Sequence, residues 1–459
     1  MSDASTANTL SIGSDDRGPG SQIAPERGFI GDPEPQSKQR PALGRRVLII
    51  VENLPVPFDR RVWSEATTLL QNGYDVFVIC PKGPGATASF EIIDGVHIYR
   101  HWLPSEGHGL LGYLAEYGVA LFWEFVLSCK ILMTRGFDVV HACNPPDLIF
   151  LIGGFHKIFF GKRFIFDHHD INPELYEAKF GRRGFLWRIM VLLERLSFAF
   201  ADVSIATNDS YRRIAIERGK MNPERVFVVR SGPNLARVGS VPADIAWTKG
   251  RKFLVAYVGV IGKQEGLDLL LEAVRHIRDV RSRNDVQFVV IGDGPEFNNV
   301  RKLSTALGLD EMVTFTGRVE DKVLFTILST ADVCVNPDRP NAMNDKSTMN
   351  KIMEYMAFGK PIVQFDLTEG RISAGEASIY VRNTDTAEFG DKILELADDP
   401  ERRAVMGAFG RERVRRELTW NHAAPKLLEA YECAFAGPVG AARGNVSSAT
   451  RTLSDGNGS

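Results

Sequence analysis

Short apolar strands alternate with amphipathic helical patterns along most of this 459-residue chain. The first such unit has an apolar run at residues 46–51, a helical pattern that begins after Asp59, and a second apolar run at residues 74–80. Strands that are apolar on both faces are typical of parallel sheets covered by helices on both sides. This alternation predicts an α/β protein built on doubly wound sheets.

The same pattern begins again near residue 253. A strand at residues 253–259 leads into a glycine-bearing turn at residues 259–266, and a helical pattern follows it. The repetition predicts two tandem Rossmann-like doubly wound domains with an interdomain cleft, which is a natural ligand site. The predicted segments are a disordered tail at 1–44, an N-terminal domain at 45–232, a linker at 233–252, a C-terminal domain at 253–418, a helix at 419–436 that crosses back to the first domain, and a disordered tail at 437–459.

Composition excludes several classes of protein. A hydrophobic content of 44% with 24% charged residues is ordinary for a soluble globular chain, and a net charge of −2 gives no general attraction to nucleic acid. Five cysteines without a CxxC pair favour a reducing compartment and argue against a zinc site or a disulfide framework. We expect no apolar run near the ~18 residues of a membrane span and no signal peptide, hence a cytoplasmic protein.

Residues 336–363 form the stretch that most favours a ligand site: strand end, loop, short helix, strand. The helix is expected to begin near Asp345 or Ser347, both good N-caps, and to bury positions 349, 352, 353 and 356. Its polar face would carry Ser347, Lys351 and Glu354 at the carboxyl edge of a sheet, where open α/β sheets bind ligands. Lys346 and Lys351 lie beside the positive helix end, which favours a bound phosphate. A solvated Lys351–Glu354 pair is the alternative.

Polar residues also follow strands of the first domain. Arg60 and Arg61 lie in the first turn of a helix near the ligand edge, where they could contact a phosphate or be ordinary surface arginines. A strand at residues 163–167 ends in His168, His169 and Asp170, which could form a site or only cap a loop. No further ligand follows at helical spacing, so a metal site is not favoured.

A basic region suggests contact with a membrane. Residues 151–230 hold 14 Lys and Arg against 9 Asp and Glu, and they include an aromatic-rich helical pattern at residues 182–200. Such a face can lie on anionic lipid. The alternative is a sheet-covering helix with snorkelling arginines. The long helical pattern at residues 110–133 is judged too polar to span a bilayer.

Four motifs together give a family resemblance. They are the glycine-rich turn near Gly259, the Gly-Asp-Gly-Pro sequence at residues 292–295, the Phe-Thr-Gly-Arg sequence at residues 315–318, and the block at residues 353–363. In this order and spacing they resemble a family 4 glycosyltransferase of the GT-B fold, from about residue 46 to residue 435. Residues 55–63 and 167–170 are similar to a bacterial subgroup that builds surface polysaccharides and glycolipids.

The resemblance implies a retaining, metal-independent transfer from a nucleotide-sugar, with no cofactor. Glu354 matches the glutamate that binds the ribose, and His169 matches the histidine near the donor sugar. With Lys263 these two form the expected catalytic set, and Arg60, Arg61 and Asp170 are expected on the acceptor side. The expected donor-binding positions are Gly262, Gly292, Gly317, Arg318, Lys346, Ser347, Thr348, Met349, Lys351 and Glu354.

Two departures from the family pattern fall at positions that are expected to lie near the diphosphate of the donor. The family has an acidic residue eight positions before its glutamate, where this chain has Lys346. The family's Arg and Lys near the first turn are replaced by Val260 and Glu265, which leaves Lys263 as the only cation of that turn. We therefore expect Lys263, Lys346 or Lys351 to hold the diphosphate, unless donor binding is impaired.

The expected partners are a nucleotide-sugar donor, a saccharide, lipid-linked or small-molecule acceptor, and peripherally the inner membrane surface, but no nucleic acid. A nucleotide-sugar epimerase or hydrolase of the same fold is one alternative function, and it would form product from the donor alone. A non-catalytic partner of another transferase is the other, and it would bind the donor without turnover.

Overall fold

The computed structural model describes residues 44–103, 109–233, 235 and 241–437, and for residues 109–116 the backbone only. The tails predicted at 1–44 and 437–459 lie outside the described residues, apart from Gly44 and Gly437. Part of the predicted linker is also outside them. Its described portion includes a 3₁₀ turn at Ile245–Thr248.

The first sheet has eight strands in the order β3-β4-β2-β1-β5-β6-β7-β8. Every pairing is parallel except that between β3 and β4. The strands are β1 Arg46–Ile50, β2 Asp75–Pro81, β3 Phe90–Ile93, β4 Val96–His101, β5 Val139–Cys143, β6 Arg163–His168, β7 Val203–Ala206 and β8 Val226–Val228.

Helices cover both faces of this sheet, as its doubly apolar strands require. They are α1 Arg60–Gln71, α2 Gly109–Thr134, α3 Phe150–Phe160, α4 Asn172–Phe180, α5 Phe185–Phe200 and α6 Asp209–Arg213. As predicted, Asp59 caps α1, because its carboxylate accepts a hydrogen bond from the Val62 N–H at 3.0 Å. Side chains of α2, α3 and α5 share one core with one face of the sheet, and α1 packs in the core on the other face.

The second sheet has six parallel strands in the order β11-β10-β9-β12-β13-β14. They are β9 Phe253–Val258, β10 Val286–Ile291, β11 Val313–Gly317, β12 Val333–Asn336, β13 Ile362–Phe365 and β14 Ser378–Val381. The helices that follow are α7 Leu267–Asp279, α8 Phe297–Ala306, α9 Asp321–Thr330, α10 Asn350–Ala357, α11 Thr368–Ala374, α12 Thr386–Asp398, α13 Pro400–Arg413 and α14 Trp420–Ala436. The predicted architecture of two tandem Rossmann-like domains is confirmed.

The last helix, α14, packs against the first sheet. Leu427, Ala430 and Tyr431 are fully buried in the core beside α1. The Trp420 indole N–H donates to the Thr68 hydroxyl at 2.8 Å. The chain therefore returns to its first domain after completing the second.

The prediction that no segment has the character of a membrane span was wrong for α2. Among the described residues, one helix is apolar and long enough to cross a bilayer by length and composition alone. Its segment Tyr117–Thr134 has a mean hydropathy of 1.4, and 22% of it is buried. Glu124 lies within this segment, and its side chain is fully buried.

Candidate active site

Three turns meet at the carboxyl edge of the second sheet. The Gly259 N–H donates to the Ile291 carbonyl, and the Gly292 N–H donates to the Gly317 carbonyl, each at 3.0 Å. Gly292 has φ 132°, and a Cβ atom there would overlap the carbonyl oxygen of Gly259. Glycine alone permits this approach. The turns after β9, β10 and β11 therefore form one continuous backbone surface at this edge.

Two of the predicted donor positions frame this surface. Gly262 precedes the short 3₁₀ turn Lys263–Glu265. Gly317 ends β11 with φ 68°, and the exposed Arg318 follows it. Both ends of the surface are thus held by glycines at turns, with Arg318 at its rim.

The helix of the central stretch begins later than predicted. α10 starts at Asn350, and neither Asp345 nor Ser347 caps it. The Asp345 carboxylate instead accepts from the Thr368 N–H at 2.8 Å, and the Ser347 hydroxyl donates to the Met343 carbonyl at 2.9 Å. Short polar side chains often bond nearby backbone in this way rather than starting a helix. Ser347, Thr348 and Met349 therefore lie in the segment that leads into α10.

Lys351 is buried, which contradicts its predicted place on a polar outer face. Its ammonium group lies 2.7 Å from Oε2 of Glu265 and 2.8 Å from Oδ1 of Asp338. Its side chain is 9% exposed. The alternative of a solvated Lys351–Glu354 pair is therefore also wrong, because these two other carboxylates surround the ammonium group.

The protonation of this triad follows from burial. Burial raises the pKa of Asp338 to about 8, and the nearby Glu265 carboxylate adds to the shift. Burial opposes ionisation of Glu265 as well, but Lys351 outweighs it and lowers the pKa of Glu265. Near neutral pH the three groups carry one proton on Asp338 and one ion pair. The Lys351 charge thus compensates Glu265, the residue that replaces a family cation.

Lys263 lies at the surface of the same turn. Its side chain is 85% exposed, and its ammonium group is 4.0 Å from Oε1 of Glu296. It differs from Lys351 in that its long side chain is solvated and can reorient. Lys263 is therefore the cation of this turn that a ligand in the cleft can recruit.

Lys346 bridges the two domains. Its ammonium group lies 3.0 Å from Oε1 of Glu174, a buried residue of α4. Glu174 also accepts hydrogen bonds from Arg218 at 2.9 and 3.0 Å. Burial alone would raise the pKa of Glu174, yet Arg218 and Lys346 lower it, so the carboxylate stays ionised. Lys346 therefore serves an interdomain ion pair in this conformation rather than a phosphate.

Hydrogen bonds across the same interface fix the segment before α10. The Asn208 side-chain amide donates to the Lys346 carbonyl at 2.8 Å and to the Thr348 hydroxyl at 3.0 Å. The hydroxyl groups of Tyr211 and Ser347 lie 3.0 Å apart. The first domain thus holds the predicted donor-binding segment in place.

Glu354 faces the first domain from α10. Its Oε1 atom is 3.8 Å from a guanidinium nitrogen of Arg60, and its side chain is 30% exposed. Arg60 also donates to the Asp321 carboxylate at 2.9 Å. Glu354 and Arg60, predicted on the donor and acceptor sides, therefore meet across the cleft.

His169 is oriented by a buried carboxylate. Its Nε2 atom lies 2.6 Å from Oδ2 of Asp167, and its side chain is 14% exposed. Burial opposes the charge on Asp167, but Arg61 and His169 outweigh it, so the pKa of Asp167 lies well below its ordinary value. The anionic Asp167 fixes the imidazole through Nε2, which leaves Nδ1 for a ligand.

Arg61 lies beneath the cleft rather than on it. Its side chain is 8% exposed and its guanidinium lies 3.0 Å from Asp167 and 3.2 Å from Glu65. These buried ion pairs do not fit its predicted direct contact with an acceptor or phosphate. Asp170 lies in the loop after β6, where its N–H donates to the side-chain carbonyl of Asn144 at 3.1 Å.

A group of potential metal ligands surrounds Arg61. Donor atoms of Glu65, His141, Cys143 and Asp167 lie within 4.8 Å of one another, and all four residues are buried. A metal held by all four groups would need the Cys143 thiolate, yet burial and the neighbouring carboxylates hold the pKa of this thiol well above its ordinary value. Burial also raises the pKa of Glu65 well above its ordinary value, so the single charge of the Arg61 guanidinium balances the ionised Asp167 carboxylate. The group therefore fits a buried ion-pair network better than a metal site.

Sequence reasoning missed several residues of this site, including Asp167, Glu174, Asn208 and Asp338. One of them carried a local signal. Asn208 directly follows β7 and caps α6, since its side chain accepts from the Tyr211 N–H at 2.8 Å. Asp167 is only two positions from its partner His169, whereas Glu174 and Asp338 were recognisable only from contacts more distant in sequence.

Comparison with known proteins assigns this architecture. Residues 59–237 match the family model described as Glycosyltransferase Family 4, and residues 252–399 match that described as Glycosyl transferases group 1. The sucrose-phosphate synthase of Thermosynechococcus elongatus shares the fold with a TM-score of 0.70 at 19% identity, over 85% of this chain and 99% of that one.

Two curated relatives match part of the chain. An alpha-D-kanosaminyltransferase of Streptomyces kanamyceticus is 32% identical over 33% of this chain. A GDP-mannose-dependent monoacylated alpha-(1-6)-phosphatidylinositol monomannoside mannosyltransferase of Corynebacterium glutamicum is 28% identical over 34% of this chain. The matched stretches span 38% and 41% of these relatives.

Two Rossmann-like domains with a cleft between them define the GT-B class of folds. Within that class, the chain belongs to the glycosyltransferases that combine a family 4 domain with a group 1 domain.

Proposed function

We propose that this protein transfers a sugar from a nucleotide-sugar to a saccharide, lipid-linked or small-molecule acceptor, with retention of anomeric configuration and without a metal ion. The observation that carries the proposal is the position of Glu354. It lies on α10 at the carboxyl edge of the second sheet, directly across the cleft from Arg60. A carboxylate in this place can accept two hydrogen bonds from the ribose hydroxyls of a nucleotide.

The donor would lie along the backbone surface of the second domain. The turns that contain Gly259, Gly292 and Gly317 allow close approach of a planar base and its ribose. Lys263 would move onto the diphosphate and stabilise the charge that develops on the leaving group. Backbone N–H groups at the start of α10 would add to this stabilisation.

The first domain would supply the acceptor side. His169, held by Asp167, would contact the transferred sugar from across the cleft. In a retaining transfer the acceptor hydroxyl attacks the face from which the diphosphate leaves. Closure of the domains along the Lys346–Glu174 contact would exclude water from that reaction.

Metal independence is supported by the chemistry of the donor edge. Two buried carboxylates near the first turn of the second domain, those of Glu265 and Asp338, are bound to Lys351. A carboxylate in such a buried ion pair is a poor ligand for a second cation. The positive charge that a metal would bring to the diphosphate is assigned to Lys263 instead.

The proposed location is the cytoplasm, with peripheral contact to the inner membrane surface. The Corynebacterium relative is named for its action on a phosphatidylinositol monomannoside, and that molecule is a lipid-linked acceptor. Lys130, Arg188 and Arg195 are exposed on the first domain and would favour anionic lipid.

A donor screen with purified full-length protein tests this function. Release of nucleoside diphosphate from UDP-, GDP- and ADP-sugars is followed with and without a lipid extract as acceptor source, in the presence of EDTA. We expect acceptor-dependent release from one donor, and an NMR spectrum of the product with the donor's anomeric configuration. Equal release without acceptor would identify a hydrolase, and conversion of the donor into another nucleotide-sugar without acceptor would identify an epimerase. Donor binding without either reaction would identify a non-catalytic partner.

A further inference from the structure

Large exposed apolar side chains concentrate on one side of the first domain. They lie on the helices α2, α3, α4 and α5, and we call them the outer apolar face. Its members are Phe122, Trp123, Val126, Met133, Leu151, Ile158, Phe159, Phe160, Phe180, Phe185 and Leu192. Solvated surfaces seldom carry so many contiguous large apolar groups without a partner.

The helices of this face lie side by side in one layer. The rings of Phe125 on α2 and Phe155 on α3 are 4.9 Å apart, and those of Phe150 on α3 and Phe200 on α5 are 5.5 Å apart. All three helices share one buried core with the sheet beneath them. The exposed residues of α2, α3 and α5 therefore belong to a single continuous helical surface rather than to separate projections.

α2 is part of this layer and does not stand apart from the domain. Its Ala120, Glu124 and Ile131 side chains are completely buried against the protein, while Phe122, Trp123 and Met133 face outward. A helix with one side committed to a protein core cannot have lipid on all sides. Its apolar outer side instead suits a membrane that it lies upon.

Positive charge predominates around the face. Asp147, Glu174 and Glu194 are buried in the domain, whereas Glu177 is partly exposed and pairs with Arg183 at 2.9 Å. Basic residues are exposed, and they are Lys130, Arg135, Lys179, Arg182, Arg183, Arg188 and Arg195. The solvent-facing side of these helices is therefore positive as well as apolar.

The outer side of α5 carries both apolar and basic side chains. Phe185, Arg188, Leu192 and Arg195 are its exposed large residues, and they follow one another at helical spacing. Apolar and basic side chains thus alternate along one stripe. Arginines in such a stripe can lay their stems on hydrocarbon and place their guanidinium groups among lipid headgroups.

We propose that the outer apolar face docks the first domain onto an anionic lipid bilayer. A bilayer is favoured over a protein partner because the face extends over a whole helical layer and pairs aromatic groups with distributed positive charge. The proposal adds a membrane partner to the proposed function. It rests on that function in one respect, which is that a lipid-linked acceptor would be reached from this surface. It also extends the predicted contact from the helix at residues 182–200 to α2 and α3.

Vesicle flotation of the full chain tests the proposal. Vesicles of phosphatidylcholine alone are compared with vesicles containing about 30% phosphatidylglycerol, at about 0.05 M and about 0.5 M salt. We expect recovery with the anionic vesicles at low salt, partial loss at high salt and little recovery with neutral vesicles. No recovery with either vesicle at low salt would overturn the proposal.

Matched variants locate the contact. Phe159 and Phe160 are 68% and 51% exposed at the end of α3, so the double change Phe159→Ser/Phe160→Ser removes apolar surface without opening the core. It should lower the partition coefficient about tenfold. Ile245→Ser/Val405→Ser changes two residues of similar exposure in other parts of the chain and should bind as the wild type does. Equal loss in both double variants would overturn the assignment of this face.

Two further outcomes separate the rival explanations. If the face instead pairs two copies of the chain, the wild type is a dimer by light scattering, the Phe159→Ser/Phe160→Ser variant is a monomer, and neither binds vesicles. That result would overturn the proposal. Donor binding measured in detergent-free buffer should be unchanged in the variant, so failure of membrane docking is distinguishable from failure of the proposed transferase activity.

Discussion

The ammonium group of Lys346 in the second domain lies 3.0 Å from the Glu174 carboxylate in the first domain. The family resemblance predicts an acidic residue at position 346, so this chain carries the opposite charge there. An acidic residue at position 346 would face the ionised Glu174 and repel it. We infer that Lys346 acts in domain closure through its contact with Glu174.

Lys346→Ala and Glu174→Gln should each weaken donor binding, because closure of the cleft loses an ion pair. The double variant should lose less than the sum of the single variants, with a coupling energy of about 1 kcal/mol for a half-exposed pair. Calorimetric dissociation constants for the preferred donor measure this cycle. Strict additivity of the two changes would contradict a direct role for the pair.

Lys351→Met should destabilise the second domain. The change leaves Glu265 and Asp338 buried without their cation, and breaking a buried pair in this way costs about 3–5 kcal/mol. Guanidinium unfolding measures the loss. Lys263→Met serves as the control, since a side chain that is 85% exposed should change stability by less than about 0.5 kcal/mol. Equal stabilities for the two variants would contradict the buried triad.

Lys263→Ala should lower kcat far more than it raises KM for the donor. If Lys263 stabilises the charge that develops on the leaving diphosphate, its loss should reduce kcat about 10²–10³-fold. Lys263→Arg should restore part of the rate, because a guanidinium places its donors differently from an ammonium. Steady-state kinetics with the identified donor measure kcat and KM for each variant. The control is Lys302→Ala, which changes an exposed lysine of α8 and should have the wild-type rate. A wild-type rate for Lys263→Ala would show that Lys263 takes no part in the mechanism.

Glu124→Gln should change how stability depends on pH. Burial raises the pKa of Glu124 to about 8 in the folded chain, whereas a glutamate in an unfolded chain titrates near about 4.3. The folded state therefore retains a proton that the unfolded state releases between these values, and it loses about 1.4 kcal/mol per pH unit as pH rises through this window. The Glu124→Gln variant lacks this titrating group. The free energy of unfolding of the variant, relative to that of the wild type, should therefore increase between about pH 5 and about pH 7. Urea unfolding of both proteins measures the difference, and a difference that is constant with pH would contradict the raised pKa.

Both sheets could be predicted from sequence because their signals are local. Apolar runs such as residues 46–51 and 253–259 show their strand character without reference to the rest of the chain. The start of α10 was predicted wrongly although its sequence signal is also local. Asp345 and Ser347 satisfy the preference for an N-cap, yet Asp345 accepts from the first backbone N–H of α11 and Ser347 donates to the Met343 carbonyl in the loop.

The electrostatics of the site could not be predicted, because the partners are distant in sequence. Lys351 binds a carboxylate 86 positions away, and Lys346 binds one 172 positions away. Sequence spacing alone suggested Glu354 as the partner of Lys351. The inward turn of Glu124 was likewise invisible, and this is why α2 was taken to be more polar than its outer surface is.

The proposed nucleotide-sugar site depends most on Glu354, and calorimetry with nucleoside diphosphates tests the role of this residue most directly. UDP, GDP and ADP are titrated into the wild type, Glu354→Ala and the control Glu311→Ala, whose exposed side chain lies just before β11 at the opposite edge of the sheet. Loss of a charge-assisted pair of hydrogen bonds to the ribose should weaken binding of one nucleotide by about 2–3 kcal/mol in Glu354→Ala alone. Equal nucleotide affinity in Glu354→Ala and the wild type, with both proteins folded, would contradict the assignment of this cleft as a nucleotide-sugar site.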